Sequence, residues 1–307
     1  MNTEHLPSVY RIIQTLDLTP HGDLEWLRYR SVGDPSATPQ TLLVAEDGDG
    51  QVLGFCIAAV YEGRGLIKLF AVPEEARRRG VATALFDVLE GNLRALGLSE
   101  VRTDGAPPYF TPSVDLKHTS AVIFLLRRGY STDRTTRVDM CVDLTRADLA
   151  TSAVEERLAG EGIALRRARP EEVPAVSAFA LNAFSAMWRA ETADAARFEP
   201  LPLFVALSEG EIIGFAAYDV TGEDRFGPMG TRPDYRQRGI GEALLRMCLR
   251  SIRDRGSATA EISWAGPLAF YARAVDARIS RVYWVFRKAL AQDAPDQGLD
   301  AARAPLS

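Results

Sequence analysis

The stretch that decides the fold is Pro233-Asp234-Tyr235-Arg236-Gln237-Arg238-Gly239-Ile240-Gly241, between a strand-like and a helix-like segment. A second copy of the pattern is Pro73-Glu74-Glu75-Ala76-Arg77-Arg78-Arg79-Gly80-Val81-Ala82. Both copies read R-x-x-G-x-G/A. Glycines in such a turn let backbone N–H groups come close to an anion, and the helix N-terminus adds unpaired donors and a positive dipole end. Each copy therefore predicts a diphosphate-binding turn built mainly from main chain.

The duplication extends well beyond the turn. At an offset of 160 and then 159 residues, the matched segments are 52–55 with 212–215, Pro73 with Pro233, Gly80 with Gly239, and Gly97 with Gly256. A nearly constant offset over this length predicts two copies of one domain. We expect an N-terminal domain 1–146, a linker 147–161 that can be helical, a C-terminal domain 162–291 and a disordered tail 292–307.

Hydrophobic periodicity predicts the same order of elements in both copies. The first copy has an entry helix 23–30, strands 41–46, 52–60 and 66–72, helix 83–95, strand 99–103, helix 121–128 and a closing strand pair 132–144. The second copy has an entry helix 171–184, strands 203–207, 212–220 and 225–231, helix 242–254, strand 259–264, helix 267–275 and a closing strand pair 278–290. The fold class is therefore α/β, with a mixed sheet flanked by helices in each copy.

Composition narrows the classes of partner. The chain has 307 residues, 47% of them hydrophobic and 25% charged, which is typical of a soluble globular protein of two domains. A net charge of −5 favours neither nucleic acid nor an anionic membrane as a partner. We expect a cytoplasmic protein, because no apolar signal or spanning segment occurs and the three cysteines are far apart. We also expect a monomer or homodimer. The three histidines (His5, His21, His118) are too scattered for a metal site, so no metal is expected.

This order of elements, with R-x-x-G-x-G/A between the fourth strand and third helix, resembles the GNAT superfamily of N-acetyltransferases. The resemblance covers nearly the whole chain as two tandem domains, and it implies acetyl-CoA as the co-substrate. It implies that the turn binds the pyrophosphate of acetyl-CoA, through Arg77, Arg78, Arg79, Gly80, Val81 and Ala82 in the first copy and Arg236, Gln237, Arg238, Gly239, Ile240 and Gly241 in the second. It also implies that main-chain groups of the preceding strand pair with the pantetheine arm, at Leu69 and Ala71 and at Met229 and Thr231.

The sequence gives less support to other functions for the two turns. A dinucleotide fingerprint needs a third glycine where this chain has Leu244, and a P-loop needs a lysine that neither turn contains. The run Arg77-Arg78-Arg79 alone could be a solvated basic patch, but the repeat favours phosphate binding.

Transfer of acetyl to an amine needs a base for the amine, a donor for the oxyanion and an acid for the departing thiolate. The resemblance implies that Tyr271 is the acid, in the helix after the fifth strand, and the alternative is that Tyr271 only packs. Leu125 holds the same position in the first copy and cannot donate a proton. We therefore predict that the second copy catalyses and that the first copy is catalytically degenerate, as a CoA-binding helper or an empty scaffold.

The sequence offers more than one candidate for the general base and for the acceptor site. Relatives often carry a glutamate in the fourth strand, which both copies lack, so Glu261 is the preferred base and Asp219, Glu223 and Asp224 are alternatives. Trp264 could wall an acceptor pocket or fill core.

The proline-rich loop 105–115 has no counterpart of equal length in the second copy. We predict that it forms part of the acceptor site, with Tyr109 or Phe110 as a stacking surface and Asp115 attracting an ammonium group. The alternative is a loop that packs between the domains.

The predicted function is acetyl-CoA-dependent N-acetylation of a small-molecule primary amine by direct transfer. The architecture resembles mycothiol synthase and bacterial glucosamine or glucosaminide acetyltransferases, so an amino sugar is the preferred acceptor. The alternatives are a non-catalytic acyl-CoA sensor and a protein or peptide N-acetyltransferase.

Overall fold

The computed structural model describes residues 1–19, 22–132 and 134–290. The strands are β1 Leu42–Glu46, β2 Val52–Tyr61, β3 Arg64–Ala71, β4 Glu100–Arg102, β5 Val114–Asp115, β6 Thr136–Asp143, β7 Ile163–Arg167, β8 Leu203–Ser208, β9 Glu211–Tyr218, β10 Arg225–Thr231, β11 Thr259–Ile262, β12 Arg278–Trp284 and β13 Arg287–Ala289. The α-helices are α1 Leu6–Thr15, α2 Leu24–Arg30, α3 Val81–Ala95, α4 Thr119–Arg127, α5 Ser152–Gly160, α6 Val173–Ala183, α7 Ala186–Asp194, α8 Ile240–Arg253 and α9 Leu268–Val275. The predicted tail 292–307 and His21 lie outside the described residues.

The strands form two mixed sheets, which confirms the predicted α/β class. One sheet has the order β1-β2-β3-β4-β13, and the other has the order β5-β12-β6-β11-β10-β9-β8-β7. The pairs β3–β4 and β10–β11 are parallel, and each is joined by a crossover through α3 or α8. The glycine turns therefore lie at the carboxyl ends of β3 and β10.

The closing strands are exchanged between the two copies. β6, from the first half of the chain, pairs with β11 of the second half, from Asp143 opposite Thr259 to Met140 opposite Ile262. In return, β13 pairs with β4, with Arg287 opposite Arg102. We expected each closing pair in its own copy. The pattern of apolar residues cannot choose between the sheets, because an unpaired strand edge accepts either closing strand.

Helices cover both faces of each sheet. Along β2, Cys56 and Ala58 join the apolar cluster under α3 and α4, whereas Phe55 and Ile57 join the cluster under α1 and α2. The second sheet repeats the arrangement, with α5, α8 and α9 on one face and α6 and α7 on the other. This is the alternation expected of a strand that is buried on both faces.

The helices behind the turns carry the predicted apolar stripes. In α8, five completely buried residues recur at helical spacing. They are Leu244, Leu245, Cys248, Leu249 and Ile252. Burying a leucine or isoleucine side chain stabilises the fold by about 1.5–3 kcal/mol, so this one stripe anchors the helix and fixes where its N-terminus points.

The predicted linker is a packed element. It contains α5, whose Leu158 is completely buried in the same core as α8. Because α5 lies against α8, it also reaches the second glycine turn, as described below.

Candidate active site

The two glycine turns have the same backbone conformation. Gly80 and Gly239, the N-cap residues of α3 and α8, have φ/ψ of 82°/−3° and 80°/0°. Two residues earlier, Arg78 and Gln237 have φ of 61° and 64°. Paired left-handed residues before a helix turn successive N–H groups towards one side, which makes a concave anion site. The prediction of two equivalent turns agrees with this geometry.

Arginine ties each turn back to the strand before it. Nε of Arg77 donates to the carbonyl oxygen of Val72 at 3.1 Å, and Nε of Arg236 donates to that of Thr231 at 3.1 Å. The spacing of the first arginine in R-x-x-G, which the two copies share, therefore has a structural reason. It closes the turn and places a positive charge beside it.

This pairing moves the predicted strand contacts in the first copy by one residue. Val72 and Thr231 are equivalent, and Phe70 matches Met229 because both pack on the face of α3 or α8. Leu69 and Ala71, the contacts predicted from the sequence for the first copy, instead pack under α1. The reason is that Pro73 precedes its 3₁₀ turn, Glu74–Ala76, whereas Pro233 is the first residue of the equivalent turn, Pro233–Tyr235, so the two prolines are not structurally equivalent.

A cavity of about 780 Å³ opens at the first turn. It extends from the N-terminus of α3, along β3, towards α4 and a polar end. The lining residues of the turn and strand are Ile67, Lys68, Leu69, Phe70, Ala71, Val72, Arg77, Arg78, Gly80, Val81 and Ala82, and those of the polar end are Thr103, Thr111, Ser113, Asp115, His118 and Tyr283. Arg79 is exposed beside the turn. Because Tyr283 comes from β12, the strand exchange completes this cavity.

Side chains of β10, α9 and α5 pack close to the second turn. A side chain at Gly241 would have Met229 Cε at 3.8 Å and Phe270 Cζ at 3.9 Å, and Arg157 of α5 donates to the carbonyl oxygen of Arg238 at 2.6 Å. Ile240, the first residue of α8, is buried. The linker helix thus supports the second turn from behind.

Tyr271, the predicted acid, is buried in the apolar core of the second half. It is 7% exposed, its ring contacts Phe226 with centroids 6.2 Å apart, and burial raises its pKa to about 12. The phenol is therefore protonated at neutral pH. Near the helix ends, Ala277 N donates to Tyr271 O and Tyr130 N donates to Leu125 O, across six and five residues respectively, so the match of Tyr271 with Leu125 stays a prediction.

Glu261 lies away from Tyr271. Its carboxylate is 2.8 Å from Nη2 of Arg225, and both side chains are buried. Phe226 and Ile262, the next residues along the two strands, belong to the cluster that contains Tyr271. Since successive side chains of a strand alternate between faces, the Arg225–Glu261 pair is on the opposite face from Tyr271.

Asp139 joins this buried polar group and was missed in the sequence. It accepts hydrogen bonds from Trp264 N at 2.7 Å and from Tyr283 OH at 2.6 Å. Burial, with the nearby charge of Glu261, raises its pKa to about 6. Asp139 interrupts the apolar residues 138–142 of β6, which was the available signal, but only the strand exchange brings it to Trp264.

The loop 105–115 contributes to both copies. The Tyr109 and Trp264 rings stack with centroids 6.2 Å apart, so the structure brings these two predicted acceptor residues together. Phe110 is 1% exposed and packs edge-on against Trp26 at 5.0 Å. Asp115 lines the first cavity, where Nη1 of Arg281 lies 3.3 Å from its Oδ2.

In residues 1–19, 22–132 and 134–290, no helix is long and apolar enough to cross a membrane. The same residues contain no cluster of three His, Cys, Asp or Glu side chains that could hold a metal ion.

Comparisons with known proteins agree with the fold and the turns. Residues 38–132 and 200–274, more than half of the chain, match the acetyltransferase (GNAT) domain. A mycothiol acetyltransferase of Streptomyces coelicolor is 39% identical over 66 residues, which are 20% of this chain and 21% of that protein. The chain thus spans about a fifth of this curated relative's length.

Solved structures share the fold of both halves. A glucosamine N-acetyltransferase region of a fungal multi-domain β-N-acetylglucosaminidase has a TM-score of 0.74 at 21% identity, covering 94% of this chain and 37% of that one. A GCN5-related N-acetyltransferase from Sphaerobacter thermophilus has 0.68 at 19%, covering 94% of both chains. A tandem GNAT protein of the clavulanic acid pathway has 0.67 at 16%, covering 95% and 97%. The chain belongs to the GNAT acetyltransferase family.

Proposed function

We propose that this protein transfers acetyl from acetyl-CoA directly to a primary amine of a small molecule. The observation that carries the proposal is the pair of turns with one backbone conformation, each at the N-terminus of a helix. Such N–H groups bind a diphosphate without a lysine or a metal.

We place acetyl-CoA at the first turn with its pantetheine arm in the cavity of about 780 Å³. Main-chain groups of Phe70 and Val72 would pair with the arm, and the N–H groups at the start of α3 would hold the diphosphate. The second turn offers the same main-chain groups beside Met229 and Thr231, so two molecules per chain are a specific expectation.

The proposed transfer needs no acyl-enzyme. The neutral amine attacks the thioester carbon, a tetrahedral oxyanion forms, and the C–S bond breaks as sulfur takes up a proton. Tyr271 is the proposed acid in the second copy, because its buried phenol is protonated and belongs to the helix beside the second turn. Residue 125 is leucine, so the first copy needs another acid or has no turnover of its own.

Glu261 remains our candidate base, although its ion pair with Arg225 favours a structural role. Asp219 is bound by Arg255, and Asp224 accepts from Ser257 Oγ at 2.7 Å. Glu223 is exposed. A water molecule between one of these carboxylates and the amine would satisfy the chemistry.

We propose an amino sugar as the acceptor. Trp264 is half-buried and is the more accessible ring of its stacked pair with Tyr109. Arg137 lies 4.0 Å from the centroid of the Trp264 ring, so only the uncovered part of the indole is available to a sugar ring. Asp115 could attract an ammonium group only if Arg281 shares it, since the guanidinium is 3.3 Å away.

Thiol release from acetyl-CoA tests the proposal, with glucosamine, a panel of other small amines and a peptide as acceptors. We expect sustained release with a small amine, and a large loss of turnover in Tyr271→Phe with CoA affinity retained. The sensor alternative is favoured by one observation, that the open cavity is in the copy that lacks the tyrosine. CoA binding without turnover on any amine would support the sensor and contradict an enzyme.

A further inference from the structure

His118 is an ionisable group at the polar end of the first cavity. It is the N-cap residue of α4, it lines the cavity of about 780 Å³, and its side chain is half-buried. Its Nε2 is buried and has no hydrogen-bond partner among the described residues. Buried polar atoms in proteins nearly always have a partner, so a nitrogen without one at a cavity wall indicates that a ligand or a water molecule completes it.

The cavity places His118 towards the acyl end of a bound acetyl-CoA. The diphosphate is assigned to the turn at the start of α3, and the cavity runs from there along β3 to the polar end. Because the pantetheine arm separates the diphosphate from the thioester, the thioester would lie towards the end that is far from the turn. Asp115, Ser120, Ala121 and Phe124 line the cavity on either side of His118 in the sequence. The histidine therefore belongs to the cavity wall and is not sealed behind it.

Two other side chains of the lining that could carry a proton are engaged with partners outside the cavity. Nζ of Lys68 lies 2.7 Å from Oδ2 of Asp34, and both side chains are 1% exposed. The hydroxyl of Tyr283 donates to Oδ2 of Asp139 at 2.6 Å, and burial raises the pKa of this tyrosine far above its ordinary value. Neither group is available to exchange a proton with a ligand.

The remaining ionisable groups of the lining are held by partners or do not titrate near neutral pH. Oδ2 of Asp115 lies 3.3 Å from Nη1 of Arg281, and its Oδ1 accepts from Lys117 N at 3.0 Å. Arginines keep their proton in proteins. Those of the lining are Arg77, Arg78, Arg127 and Arg128. Among the described lining residues, His118 is thus the group that can both take and give a proton near pH 7.

We propose that the first copy is a second, slower acetyl-transfer site, in which His118 replaces the tyrosine as the acid–base residue. The inference rests on the proposed transfer of acetyl from acetyl-CoA to a primary amine. It goes beyond that proposal, because Leu125 leaves the first copy without an assigned acid. It also accounts for the open cavity in the copy that lacks the tyrosine.

The surroundings of His118 favour the neutral imidazole, which is the form that accepts a proton. Burial lowers the pKa of His118 below its ordinary value of 6.5. The charges that face it are Asp115 and Lys117 from its own loop, Arg281 from β12 and Asp17 from the segment after α1. The two carboxylates raise the pKa and the two cations lower it, so these charges oppose each other and burial sets the direction.

One histidine balances the whole transfer. The neutral amine attacks the thioester carbon, an N–C bond forms, and the carbonyl electron pair moves to oxygen. His118 takes a proton from the nitrogen. The oxyanion then collapses, the C–S bond breaks with its electron pair on sulfur, and the imidazolium gives its proton to the thiolate. The products are an amide and free CoA thiol, and His118 is neutral again.

The turnover that remains in Tyr271→Phe isolates the first copy. In that background, His118→Gln should lower thiol release with glucosamine and the amine panel by on the order of 10²-fold, because it removes the acid–base group and keeps a polar side chain. His5→Gln is the matched control and should leave the remaining turnover unchanged, since His5 pairs with Glu46 and lies outside the cavity lining. A CoA titration with retained affinity shows that each variant keeps its fold.

The pH dependence separates a chemical role of His118 from a structural one. At saturating amine, the turnover that remains in Tyr271→Phe should fall as the pH drops through the pKa of His118, below 6.5, because an imidazolium cannot take the amine's proton. The double variant Tyr271→Phe/His118→Gln should not show this fall.

The NMR signals of the histidine rings give a readout that does not depend on turnover. The chain has three histidines, so the signal that His118→Gln removes is that of His118. Addition of CoA should shift the His118 signal and leave the His5 signal in place. Arg78→Glu puts a negative charge at the turn and should weaken this response.

A remaining turnover that His118→Gln does not change overturns the inference. So does a Tyr271→Phe variant with no detectable turnover, or a His118 signal that does not respond to CoA. The proposed function survives each of these results as long as the wild type acetylates an amine. A wild type that acetylates no amine contradicts both.

Discussion

At the scale of single residues, the buried ionisable groups divide into catalytic candidates and structural pairs. Burial alone raises the pKa of Tyr271, whereas the carboxylate of Glu261 lies 2.8 Å from the Arg225 guanidinium. The sequence placed both residues in one site, because strand position and helix position are visible in a repeat. Which face of the sheet each side chain occupies depends on packing, and the structure separates them.

Tyr271→Phe should lower kcat by on the order of 10²–10⁴ with little change in CoA affinity, since it removes a proton donor and leaves the packing. Steady-state kinetics and a CoA titration check this. The wild-type kcat should show no loss from ionisation of Tyr271 below about pH 11, because its pKa is about 12. A Phe variant with full kcat would rule out the acid role.

Glu261→Gln should cost about 3–5 kcal/mol of unfolding free energy, because it leaves the buried Arg225 charge without its partner. Chemical denaturation measures the loss. Glu223→Gln, an exposed carboxylate near the same strand, is the matched control and should change stability by less than about 0.5 kcal/mol. Equal, small losses of unfolding free energy in the two variants would show that the Arg225–Glu261 ion pair does not stabilise the fold.

Asp139 gives the fold a specific pH dependence. Its folded pKa, about 6, is above the ordinary value of 3.8, so the protonated form favours the folded state. This contribution is complete below pH 3.8 and is lost as the pH rises through about 6. The difference in melting temperature between wild type and Asp139→Asn should therefore grow as the pH rises from 3.8 to about 6. A difference that does not vary with pH would contradict the assignment.

At the scale of elements, the turns were predictable and their surroundings were not. The motif fixes the left-handed glycine and the helix that follows, since only local backbone conformation is involved. The sequence could not show that α5 packs behind the second turn, because the linker and the turn are about 80 residues apart. It also could not show the one-residue shift in β3, because Pro73 and Pro233 match as residue types but differ by one position relative to their 3₁₀ turns.

The pair Gly80→Ala and Gly239→Ala tests these surroundings. Both need a left-handed residue, which costs about 1–2 kcal/mol for alanine. A Cβ at residue 80 meets nothing within 4 Å, whereas a Cβ at residue 239 lies 3.1 Å from Arg157 and 3.2 Å from Val154. We therefore expect the larger loss of melting temperature in Gly239→Ala. Equal losses would mean that α5 does not support the second turn.

At the scale of the whole molecule, the exchange of closing strands joins the copies into one unit. The first sheet needs β13 from the end of the described chain, and the second needs β6 from the first half. Two copies were evident in the sequence because spacing repeats. Their exchange was not, because the hydrophobic pattern of a strand does not say which free strand edge it pairs with.

Fragments cut near residue 150 should therefore not fold alone. The first fragment lacks β13 and exposes the edge of β4, and the second lacks β6. We expect soluble, folded protein only when both fragments are expressed together, and one cooperative unfolding transition for the intact chain. Circular dichroism and denaturant titration decide this. Two separate transitions, matching two folded fragments, would contradict the exchange.

The central claim is that the first turn and its cavity hold acetyl-CoA. A crystal structure of the full chain with acetyl-CoA tests it most directly. The account predicts the diphosphate on the N–H groups at the start of α3, with the pantetheine arm beside Phe70 and Val72 in the cavity of about 780 Å³. An empty first cavity at saturating acetyl-CoA, or an arm that leaves the turn by another route, would contradict it.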